Sequence, residues 1–448
     1  MMEDYDPSDL AATQQSVESE RLTMMLIGSS RTPTLKDAIG QIDWEKTPWF
    51  MILTPGDRIE SGAIGVYRKD MDDPVRQVLY ADDDLLVGRR RSVPNFKPDW
   101  NAELFLHSDY LSGACMVRAT RSDFEAVAPF ADWATHLVSR MAGKGEPLHI
   151  REMLHHRRRR PAPSLPARPL SISANLPLVS IIIPTRNHVD LLRTCLDGVV
   201  AATYPHVEVI VVDNDSDDGE TLAYLAALDH ARHRVLPFKG AFNYSAINNA
   251  AVAHARGELL CLLNNDVEMI EPDWLEIMAT QAMRPEVGAV GARLLYPDGR
   301  IQHAGVVIGV GNAAGHAHRF LRPEEEGYFH RHSLPQFTMA VTAACLMVKK
   351  DKFLTVGGLD EQNFPVAFND VDLCLRLNQQ GWQSLYEPRA TLIHHESVSR
   401  GFDKDPVGAA RFAGELAALK RLWQTDRIFD PYHHPYLSRV SEQFAVAL

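Results

Sequence analysis

A chain of 448 residues is two to three times the usual size of one folding unit, so at least two are expected. Apolar residues at 45% and charged residues at 23% exclude wholesale disorder, and a net charge of −12 disfavours nucleic acid as the main partner, because phosphate binding needs a basic face. Five widely spread cysteines (115, 195, 261, 345 and 374), none in C-x-x-C spacing, exclude a disulfide framework and a thiolate zinc site and read as buried reduced thiols.

The chain opens Met-Met-Glu-Asp-Tyr-Asp, acidic where an export signal would be basic, and its longest apolar runs are strand-sized. A soluble cytoplasmic protein is expected. Residues 1–150 contain strand-like runs that recur downstream. Trp49-Phe50-Met51-Ile52-Leu53, leading to Asp57, matches residues 259–263 leading to Asp266. Gly113-Ala114-Cys115-Met116-Val117 matches residues 343–348, and Phe130-Ala131-Asp132 matches Phe368-Asn369-Asp370. His155-His156 matches His394-His395, with 23 residues from Asp132 to His155 and 24 from Asp370 to His394. An internal repeat is expected, its first copy lacking two opening βα units of the second. Asp82-Asp83-Asp84 offers a second metal site by composition, but no nucleotide-binding loop accompanies it. Residues 1–150 are therefore expected to form a truncated, inactive module. Residues 151–177 read as a linker, with six Arg against one Glu between 151 and 170 and prolines at 161, 163, 166, 169 and 177. The arginine run 157–160 has two readings, a solvated charge run or a patch for anionic lipid headgroups.

Beyond the linker the pattern alternates. Residues 179–183 read as a strand buried on both faces. A helix over 189–202, a strand over 207–212, a helix over 221–228, a short strand over 234–237, a helix over 244–255 and a strand over 258–263 follow. This is an α/β chain with right-handed crossovers and a doubly wound sheet, in which ligands sit beyond the carboxyl ends of the strands. Polar clusters fall at those ends: Thr185-Arg186-Asn187, the acidic loop from Asp213-Asn214-Asp215 to Asp218, and Asn264-Asn265-Asp266. An Asp in such a loop suits a divalent ion bridging a diphosphate. Further on, Asn369-Asp370-Val371-Asp372 opens a helix, and His394-His395 ends a strand-like run. Each cluster alone also fits ordinary turn chemistry or helix-dipole stabilisation.

The joint order is a strand ending Pro-Thr-Arg-Asn, then Val-Val-Asp-Asn-Asp-Ser, Leu-Asn-Asn-Asp, Asn-Asp-x-Asp and His-His. It resembles the family 2 inverting glycosyltransferases of GT-A fold, from about Pro177 to about Leu437. The resemblance implies a doubly wound mixed sheet with a Rossmann-like nucleotide-binding half over 178–440, preceded by a smaller truncated GT-A-like module. It implies Asp370 as catalytic base. It puts Thr185, Asn187, Asp213, Asn214, Asp215, Asn248 and Asn265 beside the nucleotide, and Asp266 with His394 on a Mg²⁺ or Mn²⁺ ion. Asn369, Asp372, His303 and His395 fall on the acceptor side. Of the family's Asp-x-Asp element this chain keeps the final carboxylate, Asp266. The segments 242–249, 300–305 and 395–401 look like O-antigen and rhamnan-type enzymes of cell-surface polysaccharide synthesis. The donor would be a nucleotide-diphosphate sugar and the acceptor a saccharide or lipid-linked saccharide, with the protein cytoplasmic or peripheral at the inner membrane face. Glycine-rich 305–315 with His316-Ala317-His318 would form an acceptor loop, and a zinc reading of that His-x-His lacks a third ligand. Two other functions compete. A nucleotidyltransferase would show an early Gly-rich phosphate loop, which is absent after the first strand. A non-catalytic glycan- or partner-binding scaffold sits poorly with retention of Asp266, Asp370 and His394. A processive synthase would bring membrane helices and Gln-x-x-Arg-Trp, where this chain has Lys420-Arg421-Leu422-Trp423.

Overall fold

In a computed structural model of the protein, residues 7–88, 90–172, 176–229, 232–395 and 406–447 are described. They divide into two units, Met1–Pro163 and Ser164–Leu448. The strands of the first unit are β1 (Trp49–Met51), β2 (Arg58–Ile59), β3 (Val78–Val87), β4 (Arg90–Asn95), β5 (Cys115–Arg118) and β6 (Leu148–Arg157). Their order is β1-β5-β3-β6-β2, with β4 added to β3. The β3–β6 pair is parallel and the others antiparallel. Ile59, Ile64, Tyr67, Leu79, Met116, Ile150 and Leu154 pack into its core.

Two expectations are corrected here. Residues 151–157 are not linker but the body of β6, and the division between units falls after Pro163. The arginines that suggested a solvated segment are instead spent on carboxylates of their own unit. Arg157 is buried 3.9 Å from Asp83, and Arg160 donates to the same carboxylate. The Arg158 N–H bonds Asp57 at 2.8 Å while its guanidinium reaches Asp9 at 2.9 Å. Within the acidic triplet Asp83 and Asp84 are tied to cationic side chains, while Asp82 stands against an imidazole. Asp82 meets His149 at 2.9 Å, Asp83 meets the fully buried Lys97 at 2.8 Å, and Asp84 meets Arg91 at 2.6 Å and His156 at 2.8 Å. The acidic residues 1–6 and linker residues 173–175 lie outside the described residues.

The second unit contains β7 (Val179–Thr185), β8 (Val207–Asp213), β9 (His233–Pro237), β10 (Leu259–Leu263), β11 (Val267–Met269), β12 (Val287–Leu295), β13 (Ile301–His303), β14 (Val306–Ile308), β15 (Ala314–His316), β16 (Gln336–Thr338), β17 (Cys345–Lys349) and β18 (Gln383–His394). The large sheet runs β11-β18-β12-β17-β10-β7-β8-β9, with β13 on β12 and β16 on β18. Strands β9, β8, β7 and β10 are mutually parallel, and β7 is buried along its whole length. Alternate residues of β7 feed two cores: Ile181 and Ile183 meet Leu192, Cys195 and Leu196 of the helix Val189–Val200, while Ile182 meets Ile247 and Ala251 of the helix Tyr244–Val252. Helices on both faces explain why this half reads as apolar runs rather than alternation. All five cysteines are buried and unpaired.

The path β10-β17-β12-β18-β11 repeats β1-β5-β3-β6-β2 with the same parallel or antiparallel sense at every step, and β13 stands on β12 as β4 stands on β3. Strands β7, β8 and β9 have no counterpart among the described residues of the first unit. Residues 305–315, expected as a loop, contain a hairpin instead: β14 and β15 pair antiparallel, Val306 opposite His316. Its turn passes through glycines in left-handed backbone, Gly309 at φ 97° and Gly311 at φ 62°, a region that glycine occupies without steric penalty.

Candidate active site

In the parallel half the order β9-β8-β7-β10 places the first strand between the second and the fourth. The order in which strands are added therefore reverses between β7 and β10, which opens a crevice beyond their carboxyl ends. Thr185 ends β7 and Asn265 follows β10, and the Asn265 amide donates to the Thr185 hydroxyl at 3.1 Å across the switch point. The neighbouring loop is tied by Asn187, in left-handed backbone. Its amide donates to Asp217 at 2.7 Å, and its carbonyl oxygen accepts the N–H groups of Asp217 and Asp218 at 3.0 and 3.1 Å. Asp213 accepts the Ser216 N–H at 3.1 Å, and Asp215 accepts the Gly240 N–H at 2.9 Å. Asn214 is buried, donates to the carbonyls of Phe238 and Gly240, and keeps its own carbonyl oxygen without a protein partner. Asn248 is fully buried on the helix Tyr244–Val252. It donates to the Tyr244 carbonyl, and its carbonyl oxygen also has no protein partner. Buried orphan acceptors cost free energy unless a donor reaches them, so both are candidate contacts for a ligand or water.

Asp266 and His394 meet across the antiparallel pair β11–β18. Asp266 Oδ1 lies 3.1 Å from His394 Nε2, and both residues are buried. Burial pushes the Asp266 carboxyl up, but its contact with His394 outweighs this and holds it below the usual carboxylate range. His394 Nδ1 lies 2.7 Å from Gln302 Oε1, so that nitrogen carries a proton. Nε2 faces the Asp266 carboxylate oxygen, so a proton or a metal ion between the two satisfies the pair. That spacing also suits neighbouring ligands of a small divalent ion with bonds of about 2.1 Å. A carboxylate and an imidazole that Gln302 orients are therefore a donor set that fits such an ion.

The loop before β17 joins this pair to Asp370. The Ala343 N–H donates to Asp370 Oδ2 at 3.0 Å, and the Ala344 carbonyl accepts the Asn264 N–H at 3.0 Å. The Tyr244 hydroxyl donates to the Ala343 carbonyl at 2.8 Å, and the Thr342 N–H points at His303 Nε2 at 3.5 Å. His303 follows Gln302, so hydrogen bonds run from Asp266 through His394, Gln302–His303 and Thr342–Ala343 to Asp370. Asp370 stands in the first turn of the helix Asn369–Gln379. Burial pushes its carboxyl above the ordinary range, and hydrogen bonds from Ala343, Val371 and Thr342 offset only part of that. A half-buried carboxylate with a raised pKa is suited to accept a proton.

Other expected residues are drawn elsewhere. Asp372, expected on the acceptor side, is buried with Arg376 at 2.7 Å and the Trp423 indole N–H at 2.9 Å. Two positions along a helix turn it roughly 200° from Asp370. His395 pairs with Glu268 at 3.1 Å, away from the Asp266 carboxylate, which correspondingly leaves His394 as the partner of Asp266. Asn369 is buried and donates to the Val366 carbonyl at 2.7 Å. His303 is fully buried, its Nδ1 2.8 Å from His316 Nδ1, and burial followed by the two neighbouring imidazoles holds it uncharged. His318 does not join His316 as a ligand pair; it is buried and stacked on Phe444 at 4.5 Å. Of the segment 395–401, residues beyond His395 lie outside the described residues. Sequence pattern did not single out Gln302, Thr342 or Ala343 for the site, although Gln302 sits in the segment 300–305 already noted.

Residues 180–347 match the family model Glycosyl transferase family 2. The match takes in Thr185, the 213–215 loop, Asn248, Asp266 and His303, while Asp370 and His394 lie beyond its end. The chain is 38% identical to "Uncharacterized protein y4gI" of Sinorhizobium fredii, over 91% of this chain and 50% of that protein. It is 37% identical to the O-antigen biosynthesis protein RfbC of Myxococcus xanthus, over 82% of this chain and 32% of that one. It is 29% identical to an N-acetylglucosaminyl-diphospho-decaprenol L-rhamnosyltransferase of Mycobacterium tuberculosis, over 51% of this chain and 78% of the other. The chain thus spans half or less of the length of the first two relatives. Among solved structures, a mannosyltransferase of Pyrobaculum calidifontis in complex with GDP-Man and Mn²⁺ aligns at TM-score 0.42 and 20% identity, covering 60% of this chain and 71% of that one. The matched stretch lies in a GT-A-type α/β fold, a mixed sheet whose parallel half carries the polar loops at Thr185, 213–218 and 264–266.

Proposed function

We propose that the second unit is an inverting glycosyltransferase. It moves a sugar from a nucleotide-diphosphate donor to a hydroxyl of a glycan or lipid-linked saccharide, in O-antigen-like polysaccharide synthesis at the cytoplasmic side of the membrane. The observation that carries this reading is the hydrogen-bonded path from the Asp266–His394 pair through Thr342–Ala343 to Asp370. It links the two groups read here as a cation-binding pair and a proton acceptor. Thr185, Asn187, Asp213, Asn214, Asp215, Asn248 and Asn265 line or brace the nucleotide side. Asp370 takes the acceptor hydroxyl proton as the oxygen attacks the anomeric carbon and the bond to the diphosphate breaks. Asp266 and His394 are the residues that would hold Mg²⁺ or Mn²⁺, whose chemistry is to neutralise charge growing on the departing diphosphate. His303 and Asn369 brace the acceptor side. Relatives named for O-antigen synthesis and rhamnosyl transfer support a hexosyl or deoxyhexosyl donor.

We also propose that the first unit is a truncated, inactive copy of the same fold. It repeats five strands in order and sense, lacks equivalents of β7–β9 among its described residues, and has its acidic triplet paired with bases. A nucleotide-release assay of the purified chain across donor sugars, with Mn²⁺ or Mg²⁺, tests the reading. Hydrolysis of one donor is expected. Metal-stimulated release from none of them, with nucleotide binding intact, would favour a non-catalytic scaffold.

A further inference from the structure

Gln302 is placed by an irregularity in the sheet. Leu294 of β12 faces His303 of β13, but the next residue, Leu295, faces Ile301, so Gln302 is the extra residue of a β-bulge. In a regular strand consecutive side chains point to opposite faces, and a bulge breaks that alternation and re-aims one of them. Here Gln302 Oε1 reaches His394 Nδ1 at 2.7 Å while the adjacent His303 still reaches the Thr342 N–H. Gln302 is 4% exposed, so this hydrogen bond does not compete with bulk water. On the other side of the ring the Asn264 amide nitrogen, a donor, lies 3.3 Å from His394 Nε2. Gln302 calls for a proton on Nδ1, whereas Nε2 stands between the Asn264 amide and the Asp266 carboxylate, which calls for a proton or a cation there.

We propose that Gln302 is a positioning residue: by accepting the Nδ1–H of His394 it fixes the imidazole orientation and tautomer, presents the Nε2 lone pair beside the Asp266 carboxylate, and so sets affinity for a divalent cation. The inference rests on the reading of Asp266 and His394 as a metal pair. Outer partners of this kind are worth about 10–100-fold in metal affinity.

The test uses the full chain with Gln302→Leu, which removes the acceptor at similar volume, and Gln302→Glu, which keeps one. Mn²⁺ affinity is read by loss of the free-ion electron paramagnetic resonance signal, and the His394 tautomer by ¹⁵N chemical shifts in metal-free protein. Gln302→Leu should bind Mn²⁺ about 10–100-fold more weakly, and Gln302→Glu should stay close to wild type. Wild type and Gln302→Glu should carry the proton on Nδ1, and Gln302→Leu should populate both tautomers. Equal Mn²⁺ affinity in wild type and a folded Gln302→Leu overturns the proposal and leaves the metal pair standing. A wild-type His394 with no proton on Nδ1 overturns it too, and needs no variant to fold. A wild-type chain that melts cooperatively yet binds no Mn²⁺ sinks the metal pair and the proposal together.

Discussion

Asp370 and Asp372 lie two residues apart on one helix and differ in everything chemistry uses. Asp370 is held by the N–H groups of Ala343 and Val371 and keeps a raised pKa, whereas Asp372 is enclosed by Arg376 and Trp423. If Asp370 is the base, Asp370→Asn loses about 10²–10⁴-fold in kcat with donor Kd little changed, because the base touches acceptor rather than nucleotide. Asp372→Asn should do the reverse. It keeps turnover but gives up about 1–3 kcal/mol of stability, since a half-buried guanidinium and indole lose a charged acceptor. Parallel kcat, Kd and Tm measurements on the two variants separate the roles, and near wild-type turnover by Asp370→Asn removes the assigned base. The pH profile carries the same sign. A base must be deprotonated to act, and burial has raised this carboxyl, so the acidic limb of kcat should fall above the ordinary carboxylate value of about 3.9. A limb at or below that value would mean that some other group controls turnover.

At the scale of elements, the sequence made the parallel half legible because each strand there is a buried apolar run closed by a polar cluster, as β7 with Thr185 and β10 with Asn264–Asp266 illustrate. The Gln302 bulge was not legible, since it depends on how β13 registers against β12 and no local residue marks it. The end of β6 misled for another reason. Composition counts its arginines but cannot say that Asp83, 74 residues upstream of Arg157, lies beside them on the parallel strand β3. That pairing is testable. Burial opposes ionisation of Asp83, but Lys97, Arg160 and Arg157 outweigh it and hold its pKa below the usual range. A depressed carboxylate stabilises the fold above its unfolded pKa of about 3.9, and that contribution is lost as pH falls through the folded value. Asp83→Asn should therefore cost about 3–5 kcal/mol at neutral pH, where it leaves buried cations without their anion. The Tm gap between variant and wild type should shrink as pH drops below about 4. A gap that is absent at neutral pH, or constant with pH, would show the network to be of no energetic consequence.

For the whole molecule, the repeated strand order poses a question of number. If two copies of a fold both bound nucleotide, the full chain would take up two equivalents. The three strands on one side of the crevice in the second unit, β7, β8 and β9, have no equivalent among the described residues of the first, and with them go the loops that bear Thr185, Asn187 and Asp213–Asp215. What the first unit retains is the part of the fold that in the second carries Asp266, Asp370 and His394. Its nearest counterparts are compromised. Asp57 accepts the Arg158 and Thr54 N–H groups, Asp132 is exposed beside His136 at 3.2 Å, and His155 is buried with its Nε2 2.7 Å from the Tyr67 hydroxyl. Calorimetry of the full chain with nucleotide diphosphate and Mn²⁺ should thus give a stoichiometry near one, and Asp266→Ala should abolish the metal-dependent part of the heat. Because Asp266 lies at a strand end and not within either core, the variant should still melt cooperatively. That separates a lost site from a lost fold. A stoichiometry near two, with one site surviving in Asp266→Ala, would make the first unit a working binder and overturn its reading as a truncated copy.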